Sequence, residues 1–254
     1  MPRNKIFSLV TIPIGNPQDI TLRAIETLKN AQLLLCEEIP VAEKLLKRLE
    51  IPFYKGEFNS KRSELYLFLW DRKSGRGERD YLMDVLPAIE KACYISGCGS
   101  PVFEDPGVSA QELFSGFQLE YIPGVSSLGA LMMHFGEPSR SFKMHGFLPR
   151  QKEAREQELI SISKARETIF LMETPYRMHK LLDDLEPHFK NWNLLFGYCL
   201  TTDREQVLQG KFSSVKKQLR DLEANEFVLF LIPESKKSYR TAGKSAGNKG
   251  RRKR

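Results

Sequence analysis

The sequence is poor in the residues that mark several common chemistries. Its four cysteines (Cys36, Cys93, Cys98, Cys199) and four histidines (His134, His145, His179, His188) show no metal-ligand spacing, which leaves a zinc site or metal catalysis without support. The cysteines fall mostly in apolar, strand-like runs and read as buried free thiols. No GxGxxG fingerprint follows the first strand-like run, which weakens the Rossmann-type readings. No apolar run approaches the roughly 20 residues that cross a bilayer. The opening MPRNKIFSLVTIPIG has an apolar stretch too short for a secretory leader, so the expectation is a cytoplasmic protein with no membrane segment.

Acidic residues are missing from one place in particular. Residues 236–254 hold nine Lys or Arg and no acid, whereas the whole chain of 254 residues carries a net charge of +7. The remainder therefore has 30 basic against 32 acidic residues and is nearly neutral. Gly, Ser, Lys and Arg dominate the tail without apolar periodicity, the composition of a segment disordered when free. A flexible polycation of this kind suits phosphate-rich partners.

The remaining 41% hydrophobic content is distributed as short β-branched or aromatic runs alternating with helix-period segments, the pattern of an α/β protein. IFSLVTI (6–12) reads as a strand ending in the turn Pro13-Ile14-Gly15-Asn16. Asp19 is the expected N-cap of the helix that follows, with Ile20, Leu22, Ile25 and Leu28 as its apolar stripe. LLLC (33–36) is a second strand, with a helix around 41–49. Segment 61–91 reads as mainly helical, interrupted by SGRGER (74–79). ACYISG (92–97) and LEYIPG (119–124) are strands, and SSLGALMMHF (126–135) is a helix. The linker-like GEPSRS (136–141) places a boundary between an N-terminal α/β domain, 1–139, and a C-terminal one, 140–235. The second domain reads as strand FKMHGF, helix 150–164, strand TIFLME, helix 176–186, strand LLFGYCL, a helix around 213–223 and strand FVLFLI.

Three strand-end loops of the first half, 13–19, 97–107 and 123–127, are rich in Gly, Pro and Ser. Ligands of open α/β sheets sit beyond the carboxyl ends of strands; glycine lets backbone approach them and serine hydroxyls bond their polar groups. Three such loops in one register favour a nucleoside-like ligand. Gly124-Val125-Ser126-Ser127-Leu128-Gly129 approaches a GxSxG nucleophile elbow, but its second glycine comes one residue late and no histidine partner can be assigned. Ser126 and Ser127 read equally as helix caps. In the second half, HGFLPRQKEAR (145–155) and METPYRMHK (172–180) each put a polar cluster where a strand enters a helix. Glu173 suits either a cleft-facing role or a helix-start carboxylate paired with Arg177 at i+4.

VTIPIGNPQDITLRA (10–24), SGCGSPVFEDPG (96–107), IPGVSSLGAL (122–131), HGFLPRQKEAR (145–155) and METPYR (172–177) occur in the same order as motifs of the bacterial 16S ribosomal RNA cytidine 2′-O-methyltransferases. The chain resembles that family, of the class III, tetrapyrrole-methylase-like kind, over about residues 6–233. The resemblance implies two α/β domains, S-adenosylmethionine in the cleft between them, no metal, and a homodimer acting on ribosomal RNA or the small subunit. Carried over by position, the donor contacts Pro13 and Gly15 on one wall, Gly97, Ser100, Pro101 and Phe103 on the loop, then Ser126, Ser127 and Met172. Glu173, Glu38 and Arg177 are the candidate catalytic groups.

The chain also departs from the family. Gly97 stands where the family loop carries Asp, Ser100 where it carries Thr, and Ile12 where Thr precedes Pro13. Glu37-Glu38-Ile39-Pro40 replaces Glu-Asp-Thr-Arg, and Tyr198-Cys199-Leu200-Thr201-Thr202 replaces Arg-Glu-Leu-Thr-Lys. The expected chemistry is methyl transfer to a ribose 2′-hydroxyl. Tetrapyrrole methylation, protein methylation and a non-catalytic RNA-binding role are the alternatives.

Overall fold

The computed structural model describes residues 5–102, 107–135 and 141–234. The expected boundary at 139/140, the basic tail and Phe103 lie outside these residues. The expected α/β alternation is borne out: the described chain builds two sheets flanked by helices.

The first sheet has six parallel strands in the order β3-β4-β2-β5-β1-β6: β1 (Ile6–Val10), β2 (Leu33–Cys36), β3 (Phe53–Tyr54), β4 (Leu65–Leu69), β5 (Lys91–Ile95) and β6 (Gln118–Ile122). A parallel sheet is covered on both faces, so its central strands are apolar throughout rather than alternating. Leu33, Leu34, Leu35 and Cys36 are all fully buried. Helices α1 (Leu22–Asn30) and α2 (Ile39–Arg48) cover one face through Ala24, Leu28, Ala42 and Leu46. Helices α3 (Arg76–Val85) and α4 (Gly107–Leu113) cover the other, where Phe114 stacks on Phe7 at 3.9 Å between ring centroids. The link from β1 runs one way along the sheet and the link from β5 runs the other. Their helices lie on opposite faces, so a crevice opens at the carboxyl ends of these neighbouring strands.

The second sheet is mixed, in the order β10-β9-β11-β8-β7: β7 (Lys143–Gly146), β8 (Ile169–Met172), β9 (Asn193–Tyr198), β10 (Gln206–Lys211) and β11 (Phe227–Ile232). Only β7 and β8 run parallel. Helices α6 (Lys152–Ala165), α7 (Met178–Phe189) and α8 (Phe212–Leu219) bury Leu159, Leu185 and Val215 on one face. The opposite face packs Phe170, Leu195 and Phe230 on Leu131 of α5 (Ser127–Met132) and reaches Ile14 of the first half. Gly197 makes room for that helix: a Cβ there would sit 2.9 Å from Leu131 Cδ1. Helix α5 thus precedes the expected boundary in sequence yet packs on the second sheet.

Four local expectations are corrected. Asp19 does not cap α1. Asn16 caps a 3-10 turn, Pro17–Asp19, and Thr21 caps α1, its hydroxyl accepting from Ala24 N at 3.1 Å. Leu22 is not in the buried stripe; as the first helical residue it is 86% exposed. Segment 61–91 is not mainly helical, because LYLFL forms the buried strand β4. An apolar run of that length has no period that separates helix from strand. Nor does SGRGER break a helix: it starts α3, with the Glu78 carboxylate accepting from Gly75 N at 2.9 Å.

Candidate functional site

The crevice is formed by loops that glycine allows to touch. A Cβ on Gly15 would meet Leu200 O at 2.5 Å and Thr201 Oγ1 at 2.7 Å, so the loop after β1 lies directly against the loop after β9. Asn16 N donates to Thr201 Oγ1 at 2.9 Å, which ties the two halves together at this point. Gly99 has φ +67° and its carbonyl accepts from Ile12 N at 3.0 Å, holding the loop after β5 beside that after β1. A Cβ on Gly124 would meet the Thr11 methyl at 3.0 Å, which brings the third loop onto the same strand end.

These contacts gather most of the residues expected to face the donor. Pro13 and Gly15 lie on the loop joined to Thr201, and Gly97, Ser100 and Pro101 lie on the loop joined to Ile12. Met172 ends β8 in the same apolar cluster as Ile14 and Leu128, one residue beyond Ser127. Ser126 is an N-cap: its hydroxyl accepts from Gly129 N at 3.2 Å. Ser127 is half-buried at the start of the same helix.

The place beside Gly97 is taken by carboxylates of the neighbouring strand end. Glu37 Oε2 accepts from Gly97 N at 3.2 Å, and Glu38 Oε1 lies 2.9 Å from where a Gly97 Cβ would stand. An Asp at 97 would have to displace Glu38. A third carboxylate, Glu226, precedes β11, and its backbone carbonyl accepts from Cys199 N at 2.9 Å. Glu226 itself is exposed. Desolvation there, followed by the charge of Glu38, pushes its carboxyl above the ordinary range. Nothing in the sequence around Glu226 marks it; only the pairing of β11 with β9 delivers it to this place.

Glu173 is placed differently from Glu38. It is buried, and its Oε2 accepts from Arg155 Nη1 at 3.2 Å with Arg177 Nε 3.7 Å away. Its Oε1 accepts from Thr174 N at 3.0 Å. Arg155, also buried, donates through Nε to Asp184 at 2.6 Å and through Nη1 to Pro149 O at 3.4 Å. The two polar motifs of the second half therefore meet on one guanidinium. Within HGFLPRQKEAR the sequence does not set Arg155 apart from the neighbouring cations Arg150 and Lys152.

Cys36, Cys93 and Cys199 are buried and Cys98 is exposed. Burial, with Glu38 and Glu43 nearby, pushes the Cys36 thiol up to about 12. A separate groove of about 500 Å³, lined by Ser8, Arg23, Glu26 and Glu120 among others, shares no residue with the crevice. Among the described residues no group of three or more His, Cys, Asp or Glu could hold a metal ion, and no helix is long and apolar enough to cross a membrane.

Two sheets with glycine-fitted loops meeting at a strand-end crevice define an α/β protein of the two-sheet, inter-sheet-cleft type. Comparison with known proteins gives the family: the model of the tetrapyrrole (corrin/porphyrin) methylases matches residues 7–216, and the chain belongs to that family. It is 31% identical over 204 residues to the ribosomal RNA small subunit methyltransferase I of Halalkalibacterium halodurans, covering 80% of this chain and 66% of that one. It is 28% identical over 209 residues to the protein of the same name from Rickettsia prowazekii, covering 82% and 70%. The chain thus spans about two thirds of the length of these relatives. Among solved structures, the uroporphyrin-III C-methyltransferase of Thermus thermophilus in complex with S-adenosylhomocysteine superposes with a TM-score of 0.60 at 16% identity, covering 89% of this chain and 96% of that one. That likeness shows the shared fold. The resemblance drawn from the five ordered motifs and the fold expected from it are both borne out.

Proposed function

We propose that this protein is an S-adenosylmethionine-dependent methyltransferase acting on the ribose 2′-hydroxyl of small-subunit ribosomal RNA. The observation that carries the reading is the convergence of three glycine-fitted loops and Met172 at one crevice, in a chain whose relatives are named for methylation of that RNA. In this reading Pro13, Gly15, Gly97, Ser100, Pro101, Phe103, Ser126, Ser127 and Met172 hold the donor. The cradle fits such a ligand: it offers exposed backbone at Gly15, half-exposed backbone at Gly97, an apolar floor of Ile14, Leu128 and Met172, and serine hydroxyls at its rim.

The donor supplies a sulfonium-bound methyl group that leaves readily. The protein's part is to align acceptor and donor and to exclude water, a proximity effect of up to about 7–11 kcal/mol. Glu38 is exposed beside Gly97 and is the carboxylate assigned to the hydroxyl proton. Glu173 and Arg177 act by fixing the wall below the acceptor, since both oxygens of Glu173 are already engaged.

The reading includes domains 1–139 and 140–235, a cytoplasmic homodimer, and a basic tail, 236–254, that holds RNA by charge. It is tested by mass spectrometry of ribosomal RNA nucleosides from a deletion strain and its parent. Loss of one 2′-O-methylated nucleoside supports it, and identical nucleoside profiles overturn it.

A further inference from the structure

Strands β7 and β8 are parallel neighbours, so the segments that leave their carboxyl ends emerge side by side. The first is Phe147-Leu148-Pro149-Arg150-Gln151 and the second is Glu173-Thr174-Pro175-Tyr176-Arg177. Arg155 staples them from below, donating to Pro149 O on one and to the Glu173 carboxylate on the other. The second segment is a 3-10 turn, Pro175–Arg177, with proline at its start and Arg177 N donating to Thr174 O at 3.0 Å. Its backbone is thus fixed from both ends.

On this fixed turn Tyr176 is 72% exposed. A single exposed aromatic needs no explanation in general. Here it stands beside Arg177 on one segment, with exposed Arg150 on the other and exposed Lys152 just after it at the start of α6. Arg177 is matched to Glu173, and Glu153 is the acid next to Lys152. An aromatic face on a rigid turn, among cations, is the arrangement that stacks an unpaired base and holds the phosphates on either side of it.

We propose that Tyr176 is a stacking platform for an unstacked base of the RNA substrate, with Arg150 and Lys152 taking the adjoining phosphates. This rests on the RNA reading above and assigns it a surface. The test compares wild type, Tyr176→Phe and Tyr176→Ala for affinity to a short mixed-sequence single-stranded RNA and to small-subunit ribosomal RNA, at one fixed salt concentration. Melting temperature and S-adenosylmethionine affinity are measured on the same samples. Tyr176→Ala is expected to weaken RNA binding at least about fivefold, the lower end for loss of one stacked base. Tyr176→Phe should stay within about twofold, because the ring face is kept. In a Tyr176→Trp variant, emission should be quenched on adding RNA, since Trp70 and Trp192 are buried. If wild type binds and methylates RNA while Tyr176→Ala binds equally well, the platform is refuted and the RNA reading stands. Equal losses in the Phe and Ala variants would also refute it, by pointing to the hydroxyl. No RNA binding or methylation by wild type would overturn both.

Discussion

The guanidinium of Arg155 and the carboxylate of Glu173 meet at 3.2 Å, with both side chains buried. Removing one partner of such a pair leaves an uncompensated charge, at a cost of about 3–5 kcal/mol. Arg155→Ala also removes the guanidinium contacts of Asp184 and Pro149 O, leaving Asp184 with Lys180 at 3.0 Å. It is expected to lower stability by up to that amount in denaturant unfolding, the full cost being offset by Arg177, which stays 3.7 Å from the Glu173 carboxylate. Glu173→Gln should cost less, because the remaining amide can still accept from Arg155. Turnover should fall in Glu173→Gln and Arg177→Ala more than donor affinity, as an isotope-transfer assay beside calorimetry would show.

The two glycines of the crevice should respond differently to alanine. At Gly15 the new Cβ meets the Leu200 carbonyl at 2.5 Å, so backbone must move. At Gly97 it meets the end of the Glu38 side chain, which can swing away. Gly15→Ala is expected to lower both melting temperature and donor affinity, the latter by about tenfold or more, as a backbone displacement of order 1 Å at a binding site would. Gly97→Ala should change either only slightly. Calorimetric titration with S-adenosylmethionine, alongside thermal unfolding, checks both.

Much of this architecture is legible in the sequence, and the exceptions have physical causes. Strands such as LLLC and FVLFLI announce themselves because buried strands need unbroken apolar runs. LYLFL does not, since the same composition serves a buried helix. β10, QVLQGK, carries only two apolar residues and a glycine, and it is a strand because β9 offers it an edge. The donor loops are readable from Gly, Pro and Ser at strand ends. The partners of Glu173 and the approach of Glu226 to Glu38 are not, because they depend on which strands become neighbours.

Glu226 gives a pH prediction. Its folded-state pKa is raised, by desolvation and then by Glu38, so folding favours the protonated form. Its ionisation therefore weakens the fold as pH rises through that raised pKa. Glu226→Gln should be slightly more stable than wild type at neutral pH, by on the order of 1–2 °C in Tm. The difference should vanish at acidic pH, where the wild-type carboxyl is protonated. Thermal unfolding of the pair across pH would show it; a constant offset would contradict it.

The basic segment 236–254 should contribute salt-sensitive affinity without sequence preference. Its removal is expected to weaken RNA binding at low salt, flatten the dependence of log Kd on log salt, and leave donor binding unchanged. Unaltered slope and affinity after truncation would take the tail out of RNA recognition.

The central claim is methyl transfer to ribosomal RNA, and transfer of a tritiated methyl group tests it most directly. Small-subunit particles and naked ribosomal RNA from a strain lacking the gene are incubated with the protein and labelled S-adenosylmethionine. The account predicts label in the RNA that survives nuclease digestion as a 2′-O-methylated nucleoside, with wild-type RNA refusing further label. Absence of label from both substrates, in a sample whose donor binding is confirmed, would contradict it.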